Sequence, residues 1–361
     1  MFKETKIEKI LSNNKKEPLV VILCPNYEER SIHLSEKLKE LLKKSSRPIS
    51  YEVFCLRNRH NNNMLLEELK NKYFNQLKES LNLNGNECSH WIQYPNGFSP
   101  NELKSILKDR IELYEDLTVD FLVDVSAMPK SMIFSLCDIF QDFIEEYKGR
   151  INKIMFAYVT PEKYSSVSYA QDMGILNGFF SGRTLRSKRR EAAVHAIVFP
   201  SRSGHEGKLL LDDLSLMPYE QHHTVFFPID TKDFLHSLEL MRANQTLLDG
   251  DEYSHQFYCS FGDAIIALHE YLENEAQEIA YMIQNGKIDK QLYLVAPFGA
   301  KIFLPISYFE LQRMKHKKGI SDVVEIEICH TRGFQYTSVY SLGISSMNIF
   351  EMEVNNYVCE N

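Results

Sequence analysis

The sequence predicts an α/β fold in which two tandem units each form a mostly parallel sheet. The chain has 361 residues, which is more than the ~250 to 300 residues that one hydrophobic core usually fills. Each half alternates short apolar runs with segments whose apolar residues recur at helical spacing. The same order of elements occurs in both halves, and this self-similarity indicates an internal duplication.

Five apolar runs in the first half have the length of buried strands. They are Leu19–Cys24, Tyr51–Leu56, Trp91–Tyr94, Phe121–Val125 and Ile154–Val159. Helical periodicity separates them at Ile32–Leu42, Met64–Leu81, Ser99–Leu113 and Lys130–Tyr147. Ser99 and Glu102 have the spacing of a capping box, which opens the third of these helices. Because the strands are apolar along their length, we expect helices to cover both faces of a mostly parallel sheet.

The second half repeats this alternation of strands and helices. Its apolar runs are Ala193–Phe199, Thr224–Phe227, Phe257–Cys259, Leu292–Ala296 and Val323–Cys329. Its helical segments are Lys208–Leu216, Phe234–Met241, Asp263–Ile283 and Phe303–Met314. Both halves are therefore predicted to be Rossmann-like units, and their common order favours duplication over coincidence.

Equal spacing between matching residues strengthens the duplication. Aligning Lys130 with Lys301 places a strand, a short turn and a lysine in the same order in both halves. Each lysine precedes a threonine, Thr160 or Thr331, by the same number of residues, and that threonine follows the fifth strand of its half. The segments YSSVSY and YTSVYS come shortly afterwards. An α/β architecture alone does not require this spacing, so it points to a common origin of the halves.

The predicted domain boundaries follow from these elements. Residues 1–165 are the first unit, and residues 193–361 are the second unit with short C-terminal strands. Between them, residues 166–192 carry a basic run and form a linker or a small β excursion. The tail 338–358 is expected to pair with the stretch after Tyr164.

Charge disfavours broad capture of nucleic acid. The formal net charge is −8, whereas phosphate binding depends on clustered lysine and arginine. The basic run could form a local patch or a solvated linker, and its members are Arg183, Arg186, Lys188, Arg189 and Arg190. Non-specific nucleic-acid binding is therefore not expected.

Cysteine spacing and hydropathy indicate the compartment. No pair among the seven cysteines has C-x-x-C spacing, so no zinc site or other metal site is predicted. Cysteines in apolar runs are typical of reduced proteins. The N-terminus lacks an apolar signal core, and no stretch approaches ~20 consecutive apolar residues. We therefore expect a cytoplasmic protein without a membrane partner, and no resident cofactor is predicted.

Polar residues cluster where the strands end, which is where open parallel sheets bind their ligands. In the first unit these are Asn26, Glu28, Glu29 and Arg30 after the first strand, and Asp124, Ser126, Lys130 and Ser131 around the fourth. In the second unit they are Ser201, Arg202, Ser203, Gly204, His205, Glu206, Lys208, Gly299, Lys301, His330 and Arg332. These residues form the candidate ligand site.

Two lysines have the position of phosphate or carboxylate ligands. Lys130 and Lys301 lie at helix starts, where exposed amides and the helix dipole favour anions. Alternatively, Ser126 is an N-cap and the lysines are solvated. The chain has neither a Walker A loop nor G-x-G-x-x-G after its first strand, which disfavours nucleotide hydrolysis of that type and ordinary NAD binding. His205 beside Glu206 could form an acid/base pair, or His205 could be a solvated loop residue.

The loops described above resemble those of CARF-type sensor domains of prokaryotic defence systems. The resemblance lies in Asn26–Ser31 and Asp124–Lys130, and it is echoed by Ser201–Lys208 and Pro297–Lys301. CARF domains pair symmetrically and bind cyclic oligoadenylates with these two loops, and some cleave their ligand. The resemblance implies that one duplicated chain forms a paired site within itself.

The leading hypothesis is a sensor or regulatory protein of antiviral defence that binds a phosphorylated nucleotide signal between its units. Lys130 and Lys301 would hold phosphate, and Asn26 and Ser126 would donate hydrogen bonds. Glu28, Glu29 and His205 would line the loops. One alternative is a ring-nuclease-like phosphodiesterase, dependent on or independent of Mg²⁺, that uses His205 and Glu206. Another is an accessory subunit that binds an effector protein.

Overall fold

The computed structural model describes most of the chain, and every structural statement below refers to the described residues. These are 2–12, 17–42, 47–58, 64–81, 89–94, 99–164, 177–178, 193–202, 204–214, 221–229, 234–248, 253–287, 290–317, 320–330 and 341–359. The predicted basic run, Ser203 and Arg332 lie outside these residues.

Two compact units make up the chain. The first unit comprises Phe2–Ser166 and Gln335–Cys359, and the second comprises Val167–Phe334. The prediction that the C-terminal strands belong to the second unit was wrong, because Ser346–Glu353 pairs antiparallel with Ile151–Thr160. A strand can join the edge of any sheet whose free N–H and C=O groups it can reach, so its place in the sequence does not fix the sheet it joins.

The described strands are numbered in chain order. In the first unit they are β1 (Lys3–Thr5), β2 (Leu19–Leu23), β3 (Ile49–Asn58), β4 (Ser89–Tyr94), β5 (Val119–Asp124), β6 (Ile151–Thr160), β7 (Lys163–Tyr164), β14 (Ser341–Leu342) and β15 (Ser346–Glu353). In the second unit they are β8 (Asn177–Gly178), β9 (Ala193–Phe199), β10 (Gln221–Pro228), β11 (Tyr253–Tyr258), β12 (Gln291–Pro297) and β13 (Val324–His330).

Eight of the described helices lie close to their predicted positions, whereas Ile7–Ser12, Gln245–Leu248 and Val354–Cys359 were not predicted. In the first unit they are Ile7–Ser12, His33–Leu42, Met64–Leu81, Pro100–Leu113, Lys130–Glu146 and Val354–Cys359, with a 3-10 turn at Glu29–Ile32. In the second unit they are His205–Leu214, Phe234–Ala243, Gln245–Leu248, Phe261–Gln284 and Phe303–Lys317. Ser99 caps its helix as predicted, since its side chain accepts a hydrogen bond from the Glu102 amide at 3.3 Å. In the described part of the chain, no helix combines the length and the apolar character that crossing a membrane requires.

Both units have the same strand order. The first sheet runs β1-β15-β6-β5-β2-β3-β4, and the second runs β11-β10-β9-β12-β13-β8. Counting the five parallel strands of each unit in chain order, both sheets are ordered 3-2-1-4-5. An antiparallel strand follows the fifth in each case, β15 in the first unit and β8 in the second. This order confirms the predicted Rossmann-like α/β fold and agrees with duplication.

Burial of the central strands explains why they form parallel sheets. Every residue of β2, β5 and β12 is buried. Strands that are covered on both faces gain free energy from burying their whole apolar surface. Each sheet also has its own apolar core cluster. The two units therefore each have the interior of an independent domain.

A short two-stranded sheet connects the two chain segments that make up the first unit. It pairs β7 with β14 antiparallel, with Tyr164 opposite Ser341 and Lys163 opposite Leu342. Ser345 adds a backbone hydrogen bond to Thr160 at 2.9 Å. The sequence predicted that the tail would pair with the stretch after Tyr164, and residues 165–176 of that stretch lie outside the described residues.

Candidate functional site

The first unit brings two predicted loops together at its topological switch point. β2 and β5 are neighbours in the sheet although they are the first and fourth parallel strands. Asn26 follows β2, and its side-chain amide donates a hydrogen bond to the Ala127 carbonyl after β5 at 3.2 Å. In doubly wound folds, ligands bind in the crevice at this point.

Asn26 also organises its own loop. Its side-chain oxygen accepts a hydrogen bond from the Tyr27 amide at 2.9 Å. The Ser31 hydroxyl donates to the Asn26 carbonyl at 3.3 Å. Asparagine commonly stabilises turns in this way, because its short side chain reaches neighbouring backbone groups. Asn26 thus fixes both the turn after β2 and its distance from the facing loop.

Ser126 is a buried link to β6 and does not cap a helix. Its hydroxyl accepts a hydrogen bond from the Val159 amide at 2.9 Å, and its own amide donates to Asp124 Oδ1 at 2.9 Å. Pro129 is the residue that precedes the helix Lys130–Glu146. The alternative that treats Ser126 as an N-cap was therefore wrong, because the hydroxyl already bonds to the neighbouring strand.

The helix after β5 presents its positive end at the switch point. No side chain of the described residues caps Lys130–Glu146, and its first turn contains no acidic residue. Lys130 and Ser131 are partly exposed there. The Met132 and Ile133 amides donate to the Pro129 carbonyl at 3.0 Å, and the helix dipole gives this end a partial positive charge, to which the lysine adds. An anion is the ligand that this end can best accommodate.

Glu28 and Arg30 are buried, so they do not line the loop surface as predicted. Their exposed fractions are 5% and 2%. Arg30 Nε donates to Glu28 Oε2 at 2.8 Å, and Ser341 Oγ donates to the same oxygen at 2.6 Å. Buried charges require such partners, because an unpaired charge in the interior is costly. Glu29, by contrast, is exposed.

The first loop of the second unit is built by backbone packing. Gly204 has a φ of +67°, and a Cβ there would lie 1.7 Å from the Ala243 carbonyl oxygen. Asn244 is fully buried, and its side-chain amide donates to the Ser201 carbonyl at 2.7 Å. Only glycine fits so close to another backbone with this φ. Ser201 and Gly204 are therefore fixed against the end of the helix Phe234–Ala243.

His205 and Glu206 open the helix that follows this turn. Both are partly exposed, and Lys208 one turn later is exposed. Glu206 accepts a hydrogen bond from the Ser201 hydroxyl at 2.5 Å. This contact orients the Glu206 carboxylate toward the loop. The pair therefore lies at the carboxyl edge of the sheet, where the sequence placed it.

The fourth-strand loop of the second unit packs on the first-strand loop through Gly299. The Gly299 amide donates to the Phe199 carbonyl at 2.9 Å, and a Cβ at this position would lie 2.6 Å from the Pro200 carbonyl oxygen. Lys301 is partly exposed in the turn before the helix, which begins at Phe303 and not at the lysine. β12 and β9 are adjacent, as β5 and β2 are in the first unit. The two switch points are thus equivalent in topology but differ in the groups that join their loops.

His330 ends β13 next to Asn177 of β8. The structure places its backbone at the carboxyl end of the fifth strand, as the sequence predicted. The position of its side chain is outside the described residues, and so is all of Ser203. Within the described ranges, no group of three or more histidine, cysteine, aspartate or glutamate side chains is arranged to hold a metal ion.

Sequence reasoning missed a buried polar cluster under the second sheet. His195 of β9 is 7% exposed, and its Nδ1 lies 3.2 Å from Glu275 Oε2. Its Nε2 lies 2.7 Å from the Tyr271 hydroxyl and 3.0 Å from Thr224 Oγ1. Tyr293 stacks on the His195 ring, and its hydroxyl donates to Glu275 at 3.1 Å. The sequence contained one signal of this cluster, because His195 is the one ionisable residue in the apolar run AVHAIVF.

Opposing effects set the ionisation of this cluster. Burial raises the pKa of Glu275, but hydrogen bonds from His195, Tyr293 and Tyr271 outweigh it and hold the pKa below its usual range. Burial and the nearby Glu275 carboxylate raise the pKa of Tyr271. The tyrosine therefore stays a neutral donor at physiological pH. His195 and Tyr293 are both third in their strands, so the cluster lies toward the amino ends of β9 and β12, away from the predicted loops.

Comparisons with known proteins do not assign the chain to a family. No protein-family model matches the chain, and no curated protein matches it. Among solved structures, the chain is similar to the crystal structure of a universal stress protein from Archaeoglobus fulgidus DSM 4304. The two are 12% identical, the match covers 87% of this chain and 97% of that one, and the TM-score is 0.22.

Proposed function

We propose that this protein is a sensor or regulatory protein that binds a phosphorylated nucleotide signal at the carboxyl edges of its Rossmann-like units. A cyclic oligonucleotide of prokaryotic defence is the ligand class that the CARF resemblance suggests. One observation carries the proposal: the Asn26 amide joins the two loops of the first switch point at 3.2 Å, beside an uncapped helix start. Phosphate is the anion that such a start most often binds in this fold.

Phosphate recognition in the first unit would combine Lys130 with the positive end of the dipole of its helix. A helix N-terminus stabilises an anion by about 0.3–1 kcal/mol when exposed and by up to about 2 kcal/mol when partly buried. A charge-assisted hydrogen bond from lysine adds about 1.5–3 kcal/mol. Asn26 and the Ser131 hydroxyl would supply neutral donors. These groups together suit one phosphodiester group.

The second unit would supply an equivalent set of groups. Lys301 and the backbone near Gly299 take the positions of Lys130 and its turn. Ser201 and Gly204, with the nearby Lys208, take the position of the Asn26 loop. Roles for Ser203 and His330, and the joint use of both loop pairs by one ligand, stay predictions. Glu28 and Arg30 are assigned a bracing role, because both are buried.

We expect Lys130→Ala to weaken binding of the ligand by about 10-fold or more, the effect of losing one charge-assisted hydrogen bond. Lys130→Ala combined with Lys301→Ala should weaken it further. Calorimetry with cyclic tri-, tetra- and hexa-adenylate, cyclic dinucleotides and linear oligoadenylates provides the measurement. Lys108→Ala is the matched control, since Lys108 is exposed and pairs with Glu112 of its own helix, Pro100–Leu113, away from the proposed site. Absence of binding across the panel, or binding that ignores both lysine substitutions, would reject the proposal.

A phosphodiesterase is the second candidate function. The contact between Ser201 and Glu206 favours it, because an oriented carboxylate beside a partly exposed histidine is an arrangement that general acid/base catalysis uses. Incubation of labelled cyclic oligoadenylates with and without Mg²⁺ separates it from sensing. Cleavage that His205→Ala abolishes while binding persists would assign an enzyme. Unchanged nucleotide favours a sensor, or an accessory subunit if an effector protein co-purifies.

A further inference from the structure

One buried carboxylate in the first unit joins two distant segments of the chain. Glu28 Oε2 accepts a hydrogen bond from Arg30 Nε at 2.8 Å and another from Ser341 Oγ at 2.6 Å. Glu28 and Arg30 lie in the loop after β2, while Ser341 lies in β14, 313 residues further along the chain. We call Glu28, Arg30 and Ser341 the latch.

The latch is also attached to the end of β6. Arg30 donates from one terminal nitrogen to the Val159 carbonyl at 3.2 Å and to the Tyr158 hydroxyl at 3.3 Å. Its guanidinium carbon lies 5.6 Å from the centre of the Tyr158 ring. Val159 is the residue whose amide donates to Ser126 of the other ligand loop. Both proposed ligand loops are therefore connected to the same residue of β6, Val159.

Ser341 places the latch on the segments that lead into and out of the first unit. The chain crosses to the second unit between residues 166 and 167 and returns between residues 334 and 335. β7 is the last described strand before the first crossing, and β14 is the first described strand after the return. The two strands pair with each other, and we call them the strap. Gly343, with a φ of +66°, lets the chain turn beside the Glu162 carboxylate directly after β14.

We infer that the latch couples the ligand loop after β2 to the strap, so that ligand binding at the loop changes the stability of the strap. This inference rests on the proposed function, because it concerns regulation of the same loop. A buried carboxylate cannot leave one partner without a large cost. Movement of the loop that displaces Glu28 must therefore either carry Ser341 with it or break the contact. Glu28, Arg30 and Ser341 act as positioning residues in this device, and none of them needs to touch the ligand.

Hydrogen exchange of the strap amides tests the latch without a ligand. Glu28→Gln keeps the shape of the side chain and removes its charge, and Ser341→Ala removes only the hydroxyl. In both variants, the backbone amides of peptides that cover residues 160–164 and 341–346 should exchange about 10-fold faster than in the wild type. Ser341→Thr should restore the wild-type protection, because it keeps the hydroxyl. Glu40→Gln is the control, since it removes a charge from an exposed ion pair with Lys37. A purely structural role would speed exchange equally in β5 and in the helix Lys130–Glu146.

The ligand arm uses cyclic tetra-adenylate as the probe. In the wild type, the probe should change strap exchange several-fold, and in Ser341→Ala it should bind but leave the strap unaffected. Unchanged strap exchange in both Glu28→Gln and Ser341→Ala would overturn the latch whatever the ligand does. Strap loosening in these variants, with no oligonucleotide of the panel bound, would support the latch and reject the proposed function. If Glu28→Gln speeds exchange throughout the first unit, the comparison of Ser341→Ala with Ser341→Thr decides whether the latch exists.

Discussion

Replacing Gly204 by alanine is expected to destabilise the second unit by about 3–5 kcal/mol. The φ of +67° costs a non-glycine residue about 1–2 kcal/mol. The larger part comes from the new Cβ, which would lie 1.7 Å from the oxygen and 2.5 Å from the carbon of the Ala243 carbonyl. Neither atom belongs to a flexible side chain, so the loop or the end of the helix Phe234–Ala243 must move.

Gly286→Ala is the matched control for this prediction. Gly286 lies in the same unit with a φ of +65°, and no described atom lies within 4 Å of the position of its Cβ. It should therefore show the conformational cost alone, about 1–2 kcal/mol. Urea unfolding followed by circular dichroism measures both variants. Equal destabilisation by the two substitutions would show that the contact with Ala243 is not the dominant effect.

The same substitution should also affect the proposed ligand site. Asn244 bonds to the Ser201 carbonyl directly next to the clash, so a displaced turn would also move Ser201 and the Glu206 carboxylate that Ser201 orients. The expected result is weaker oligonucleotide binding through the second unit, with the first unit unaffected.

The sequence predicted the elements well because the driving force is local and periodic. Apolar runs such as Leu19–Leu23 bury every residue, and the amphipathic segments between them have one covering face. The 3-2-1-4-5 order follows the general preference of such units and needs no particular side chain. The meeting of the Asn26 and Ala127 loops could be anticipated for the same reason, since adjacent parallel strands end at the same edge.

What the sequence could not give depends on contacts between distant segments. Glu28 and Arg30 were predicted to line the ligand loop because charged residues are usually exposed. Their burial depends on Ser341, which is far away in the chain, and on the β6 backbone. β15 was assigned to the wrong unit for a similar reason. Edge pairing is decided by which sheet has a free edge nearby, and a single sequence does not report this.

The two units share a topology but differ in the chemistry of their switch points. A side-chain amide joins the loops of the first unit, whereas the backbone of Gly299 joins those of the second. A side-chain contact can break and re-form at moderate cost, while a backbone contact that excludes any Cβ permits little movement. We therefore expect the first unit to respond to ligand more strongly than the second.

Acid is expected to destabilise the second unit through His223. This residue is 4% exposed in β10. Burial lowers its pKa from 6.5 to about 4, a hydrogen bond with the Leu247 backbone opposes this shift, and the neighbouring His195, His255 and His222 lower it further. Between these pH values the unfolded chain binds a proton that the folded chain does not. Stability is therefore complete above pH 6.5 and is lost as the pH falls toward 4, by about 3 kcal/mol in the limit.

Glu275 acts in the same direction at lower pH. Its folded pKa is lowered by its hydrogen bonds, chiefly the one to His195, against the opposing effect of burial. The stabilisation that Glu275 contributes is thus present above its pKa in the unfolded chain, about 4.3, and is lost as the pH falls through its pKa in the folded chain. Because this loss begins near the pH where that of His223 ends, the two contributions can be separated by the pH at which each occurs.

Urea unfolding at pH 7 and pH 4.5 measures the His223 contribution. The wild type should lose about 2 kcal/mol more than His223→Gln between these pH values, because glutamine cannot take up the proton. His222→Gln is the matched control, since His222 is the adjacent residue of the same strand and is exposed. It should retain most of the wild-type pH dependence, because His223 stays buried and loses only the smallest of the effects that lower its pKa. A His223→Gln variant with the same pH dependence as the wild type would show that burial of His223 does not make this unit sensitive to acid.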